Sequence, residues 1–318
     1  MEKVLVIVDM EGCIGIYDLK NEDYCRDRME KETSCIIEYL SKQKNCEITV
    51  ADSHQDGNTI SRLKEYYPHV KILSFFWNVK DVESYNYALL IGFHAMQGMD
   101  GILSHTLRPE IKEMYMGESL CGEVSLIINW LAYYGVKTIF ISGDRELKNE
   151  IRMNNSYFFE TKSCDDLQYL KDLQFDARYD ELTALLERAW ENRKVIEQKK
   201  YNPREIRIVF FQENILSLLP SSIYQITENK IFFTDTKIFI DELYVLCQYI
   251  NIAHIWYWTQ VKEIESIIRK VYPQKEDFMA KEKESIELLK MPYQEYALED
   301  IKKLSKRMKQ IEREHLES

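Results

Sequence analysis

The chain has 318 residues, 45% of them apolar, and a formal net charge of -11, with a pI near 5.2. That length and apolar content suffice for two domains with real cores. The acidic balance excludes a nucleic-acid partner, which needs a basic face, and no stretch approaches the roughly 20 apolar residues of a membrane span.

The first element is Val4-Leu5-Val6-Ile7-Val8-Asp9-Met10-Glu11-Gly12, an apolar run that ends in two carboxylates. Its length predicts a buried strand. Ligands of open α/β sheets gather at the carboxyl ends of strands, so the pair marks a candidate site. Residues two apart on a strand share a face, which lets Asp9 and Glu11 converge on one cation or one water. A phosphotransferase with an Asp nucleophile would want a second Asp where Glu11 stands, and Gly12-Cys13 does not continue that pattern. Only five apolar residues precede Asp9, too few for a signal-peptide core. The seven Cys form no CxxC pair. Reduced thiols and a cytoplasmic location are expected.

Cys25, Met29, Thr33, Ile36, Ile37 and Leu40 recur at helical spacing and predict an amphipathic helix over the sheet. Cys46 to Ala51 reads as a second strand, leaving through Asp52-Ser53-His54; Ile60 to Tyr67 as a short helix; Val70 to Leu73 as a strand. Tyr87 to Ile91 forms another strand, which leaves through Gly92-Phe93-His94. Gly98-Met99-Asp100-Gly101 is a turn, followed by Ile102 to Thr106, expected to be a short strand or extended segment that carries His105. Ile111 to Met116 is expected as a strand. Gly122-Glu123 opens a helix that Gly135 stops, so the helix dipole favours an ionised Glu123. Val136 to Ser142 is a strand that ends in Gly143-Asp144.

This alternation predicts an α/β fold with a parallel sheet. Residues 1–153 are expected to be the metal-binding catalytic domain and 154–175 a connection or lid. Residues 176–255, with a helix from Tyr179 to Lys199 and strands at Ile206–Phe210 and Ile231–Phe233, are read as a smaller α+β domain. Residues 256–318 are read as a helical C-terminal extension. There Leu298, Ile301, Leu304, Met308 and Ile311 trace one apolar stripe that must dock on something.

Of six His, only His54, His94 and His105 lie beside strand ends or Gly turns; His69, His254 and His315 do not. With Asp9, Glu11 and Glu123 they make a mixed nitrogen and oxygen set. Zinc accepts both ligand types, and a carboxylate bridging two ions about 3.5–4 Å apart is how paired hydrolytic sites are built.

The motifs Val8-Asp9-Met10-Glu11-Gly12, Asp52-Ser53-His54, Gly92-Phe93-His94-Ala95, Ser104-His105, Gly122-Glu123 and Gly143-Asp144 resemble, in order and spacing, those of the D-stereospecific metallo-aminopeptidases of the dipeptide-operon type, peptidase family M55. Weaker similarity runs to about residue 255 and includes Leu218-Leu219-Pro220. The resemblance implies that Asp9, Glu11, His54, His94 and Glu123 bind two zinc ions (Zn2+) per chain, with Asp9 bridging, and that His105 is the catalytic residue, as general acid or base or as nucleophile. It also implies a homodecamer of two stacked pentamer rings, with sites facing an inner chamber that admits short-peptide substrates bearing an N-terminal D-residue such as D-Ala. Asp52 and Ser53 are expected either to orient His54 or, for Asp52, to cap a helix.

Two departures stand out. Tyr157-Phe158-Phe159-Glu160 occupies the region where the family carries a Ser/Arg-containing segment, and Arg145 follows Asp144 where a second Asp is usual. The expected activity is therefore a zinc-dependent aminopeptidase. The alternatives are a pathway-specific metallo-amidase or peptidase with another small substrate, and a non-catalytic scaffold that retains the fold.

Overall fold

Val4 to Val8 are fully buried, as a strand covered on both faces must be. They lie in β1 (Glu2–Val8). The computed structural model describes residues 1–55, 57–151, 154–168, 175–211, 225–271 and 298–317. The chain packs as two units, the first from 1–106, 114–206 and 234–241, the second from 107–113, 207–233 and 242–318.

In the first unit, β1 is followed by α1 (Glu22–Ser41), β2 (Cys46–Asp52), α2 (Leu63–Tyr66), β3 (Lys71–Leu73) and β4 (Tyr87–Phe93). Then come β5 (Ile111–Met116), which begins in the second unit, β6 (Ser119–Leu120), α3 (Glu123–Tyr133), β7 (Lys137–Asp144), α4 (Leu147–Ile151), β8 (Tyr157–Lys162) and α5 (Phe175–Glu191). Six strands form one sheet in the order β3-β2-β1-β4-β7-β8, and every neighbouring pair is parallel. This is a doubly wound sheet that changes direction between β1 and β4, the place where such folds bind ligands.

Side-chain parity assigns the two faces. Val4, Val6 and Val8 share a core with Met29, Ile36 and Leu40 of α1 and with Leu182, Leu186 and Ala189 of α5. Leu5 and Ile7 point the other way and are equally buried. Asn21 caps α1, its side chain accepting from the Tyr24 amide at 3.1 Å, and Glu22 and Asp23 suit the positive end of the dipole.

Several sequence expectations differ from the structure: the helix read from Tyr179 to Lys199 runs from Phe175 to Glu191, and three further differences bear on the site. β1 ends at Val8, and the Cys13 amide donates to Met10 O at 3.0 Å. Asp9 and Glu11 are therefore presented by a tight turn instead of by strand parity. Ile102–Thr106 forms no strand: Ile102 and Leu103 make a turn, with Leu103 at φ +59°, and Ser104 to Thr106 continue without regular structure. The stretch read as a connection contains β8, an edge strand whose Phe159, Thr161 and Lys162 are buried; its mixed residues hid it from a periodicity reading.

In the second unit, β9 (Ile206–Phe210), whose first residue belongs to the first unit, precedes the antiparallel hairpin of β10 (Gln225–Thr227) and β11 (Lys230–Phe233). These strands are hydrogen-bonded in the order β10-β11-β9-β5. Helix α6 (Thr236–Val271) and helix α7 (Leu298–Glu317) complete the described chain. Ile301, Leu304, Met308 and Ile311 of α7 are buried, and the last three pack on Ile264 and Ile267 of α6. Leu218-Leu219-Pro220 lies outside the described residues, as do parts of the 154–175 and 256–318 segments.

Candidate metal centre

Three strand ends of the first sheet, one turn and one helix start supply the site. Asp9 and Glu11 follow β1, His54 follows β2, His94 follows β4, His105 lies on the turn beyond it, and Glu123 opens α3. The exits of β1 and β4 interlock. The Asp9 amide donates to Ile91 O at 2.8 Å and the Gly12 amide to Gly92 O at 2.7 Å. The contact is close enough that a Cβ on Gly12 would overlap the Phe93 carbonyl. Gly92 takes φ +72°, a conformation that costs a side-chain-bearing residue dearly.

Asp9, Glu11, His54 and His94 are all buried, with 3–6% of their surface exposed. The Glu11 Oε2 lies 2.8 Å from His54 Nδ1. Asp9 stands between the two imidazoles, its Oδ1 3.9 Å from His54 Nδ1 and its Oδ2 3.6 Å from His94 Nε2. The Glu123 Oε1 is 3.3 Å from His94 Nε2. The rings of His94 and His105 stack at 3.9 Å with an 11° tilt. Two ligand groups result, Asp9–Glu11–His54 and His94–His105–Glu123, each with one atom per residue within 4.8 Å of the others. His105, expected as the catalytic residue, is thus itself one of the three residues of the second group.

The electrostatics are those of a site built for cations. Burial raises the Asp9 carboxyl well above its usual range, and the neighbouring Glu11 adds to it. Burial would raise Glu11 as well, but the hydrogen bond and charge of His54 overcome it and hold Glu11 low. Burial opposes a charged His54, yet Glu11 and Asp9 carry it up to about 9; against the same opposition Glu123 and Asp9 carry His94 to about 10. His105 is lowered, first by burial and then by the charge of His94.

Two observations test whether these residues fit a metal. The buried Asp9 Oδ2 has no hydrogen-bond partner, an expensive condition for a carboxylate oxygen that a cation would relieve. The His94 Nδ1 lies 2.9 Å from Ala95 O, and a carbonyl can only accept. That nitrogen therefore carries a proton, and Nε2, which faces the Asp9 and Glu123 carboxylates, is the nitrogen that would ligate a cation in place of its own proton. A backbone carbonyl orienting the far nitrogen is the usual support for a ligating imidazole. The donor set fits.

The surrounding polar groups are mostly ones a sequence reading passes over. Asp52 accepts from the amides of His54 at 2.9 Å and Thr59 at 2.7 Å, so it shapes the turn that carries His54. Lys162, 1% exposed, donates to the carbonyls of Glu11 and Ile16, and Thr161 Oγ1 donates to Gly12 O at 2.5 Å. Glu32 of α1 accepts from the Ile14 amide and from Ser142 Oγ, each at 2.8 Å, while Ser142 Oγ accepts from the Gly92 amide at 2.9 Å. Gly122 has no side chain to cap α3, and Glu150 accepts from the Ser125 amide at 2.9 Å in its place. Of these groups the sequence marked Asp52, expected to orient His54 or to cap a helix; the others are met only in the folded chain.

Residues 2–228 match the profile of the D-aminopeptidase peptidases, family M55. The chain belongs to this family. A D-aminopeptidase of Bacillus subtilis (strain 168) is 27% identical over 162 residues, an alignment covering 46% of this chain. The chain spans 58% of that relative's length. Among solved structures, the fold is shared with the Zn-dependent D-aminopeptidase DppA from Bacillus subtilis, described as a self-compartmentalizing protease. The TM-score is 0.66 at 21% identity, over 78% of this chain and 97% of that one.

Proposed function

We propose that this member of the family is a zinc-dependent aminopeptidase that removes the N-terminal residue of short peptides, D-residues in particular, in a reducing cytoplasm. The observation that carries the reading is the convergence of three carboxylates, two of them buried, and three imidazoles at the switch point of the sheet, with Asp9 between the two halves of the cluster.

Asp9, Glu11, His54, His94 and Glu123 would hold two metal ions, Asp9 reaching both. Such a pair supplies Lewis acidity for a scissile carbonyl and a water nucleophile at neutral pH. The chain's own residues do the rest. His105 donates from Nδ1 to Leu103 O at 2.9 Å, so its Nε2 is the nitrogen available to take a proton from water and return it to the leaving amine. A carboxylate of the cluster can hold the free α-ammonium of a peptide, which would confine cleavage to the first residue. Tyr157-Phe158-Phe159 belongs to β8, and the family's Ser/Arg segment is not legible there; this favours a substrate other than a D-Ala peptide as the second reading. By analogy with the self-compartmentalizing neighbour, the protein would assemble as a closed homo-oligomer, a decamer, that excludes folded proteins.

Elemental analysis of the purified protein should give about two zinc per chain. Paired D-Ala and L-Ala dipeptides should show release of the D-residue, abolished by a chelator and restored by zinc. Release of L-residues alone would point to the second reading, and a protein that neither binds zinc nor cleaves would be a scaffold.

A further inference from the structure

Asp144 closes β7 with its side chain fully buried, yet neither the ligand set nor the proton transfer makes use of it. Its Oδ2 accepts from the Ile102 amide at 2.9 Å and its Oδ1 from the Glu146 amide at 2.8 Å. Ile102 opens the turn that carries His105. In that turn Leu103 is held at φ +59°, unfavourable for a branched side chain and stable only where the surroundings impose it. The Leu103 carbonyl accepts from His105 Nδ1, and the His105 amide donates to Ala95 O at 3.2 Å. The preceding Gly101 fits against the same carboxylate. A Cβ there would lie 3.0 Å from Asp144 Oδ1, 2.9 Å from the Ala95 Cβ and 2.7 Å from Ser104 Oγ.

We propose that Asp144 is a positioning residue for His105: by holding the Ile102 amide it imposes the turn whose Leu103 carbonyl fixes the proton on Nδ1 and keeps the imidazole stacked on His94. A two-acceptor side chain is needed because it ties the turn to the amide of Glu146 as well as to that of Ile102. None of the five proposed metal ligands lies on this turn, so loss of the carboxylate misplaces His105 and leaves the metals bound. The activity part of this inference rests on the proposed peptidase reading; the structural part does not.

The test compares full-length Asp144→Asn, Asp144→Ala, His105→Ala and the Asp144→Asn/His105→Ala double variant in zinc-loaded form, on a D-alanyl dipeptide. Asp144→Asn should lower kcat about tenfold and Asp144→Ala about a hundredfold, the scale that a small displacement of a reacting group produces, with KM and zinc content unchanged. In the double variant the Asn substitution should cost nothing beyond the His105→Ala loss. Full multiplication of the two losses, or zinc released by Asp144→Asn, would overturn the proposal. Peptide-resolved amide exchange supplies the arm that needs no activity: exchange across residues 101–105 should quicken at least tenfold in the variants, with β1 and β2 unaffected. Unchanged exchange there sinks the proposal even if the protein cleaves no peptide. The near-isosteric Asn variant decides the matter if Asp144→Ala does not fold.

Discussion

Glu32 is an unusual side chain, a fully buried carboxylate that touches none of the proposed ligands and instead ties Ile14, beyond β1, to Ser142 of β7. Burial raises it from 4.5 to about 7, although hydrogen bonds from the Ile14 amide and Ser142 pull the other way. The folded protein therefore keeps a proton that the unfolded chain has released, and stability must fall as pH rises from about 4.5 to about 7. The shift corresponds to an effect on the order of 3 kcal/mol. Glu32→Gln should remove that slope, so that wild type and variant diverge across the window in urea unfolding, the variant being the more stable at pH 8. Parallel curves would show that Glu32 is ionised in the fold. Asp9, Glu11, His54 and His94 were readable because each follows an apolar strand run, and Glu123 because it opens an apolar helix. Glu32 and Lys162 were not, and Asp144 was legible as a strand end but not as a brace for a turn, because a charged residue inside a helix or at a strand end looks alike whether it faces water or a buried backbone group.

At the scale of elements, α3 starts on Gly122 and carries Glu123 in its first turn. The cap comes from Glu150 of α4, across a crevice so narrow that a Cβ on Gly122 would collide with its carboxylate. Glu150→Ala should lower stability by about 1 kcal/mol, the usual cost of a lost cap. It should also weaken one of the two zinc ions proposed for the site, since Glu123 is the only expected ligand contributed by a helix. Chelator competition should then resolve one weakened and one unchanged site; two unchanged sites would refute the link. Periodicity found β1, β2, β4, β7 and α3 because each has a long apolar run. It missed β8, where Tyr157, Phe158 and Glu160 at intermediate burial alternate irregularly with buried Phe159, Thr161 and Lys162. It also ran the β1 strand too far, since a turn and a strand end can present the same residues two apart.

For the molecule as a whole, the proposed assembly gives a direct expectation. Light scattering of the zinc-loaded protein should report a closed oligomer, a decamer having ten times the 38.1 kDa chain mass; a monomer at micromolar concentration would remove the enclosure from the proposal. Among the described residues, no helix is long and apolar enough to cross a membrane. The amino-acid sequence by itself determined the α/β class, the alternation that builds the parallel sheet, and the identity of six polar residues at element ends, because those depend on local apolar period and on where charge interrupts it. Tertiary structure alone decided that the strand order turns between β1 and β4, that Asp9 stands between two imidazoles, and that Lys162, Glu32, Glu150 and Asp144 brace the turns around them. Such pairings join residues up to 151 positions apart. They are chosen by the burial of backbone groups that no local pattern encodes: a buried carbonyl or amide must find its partner wherever the fold brings one.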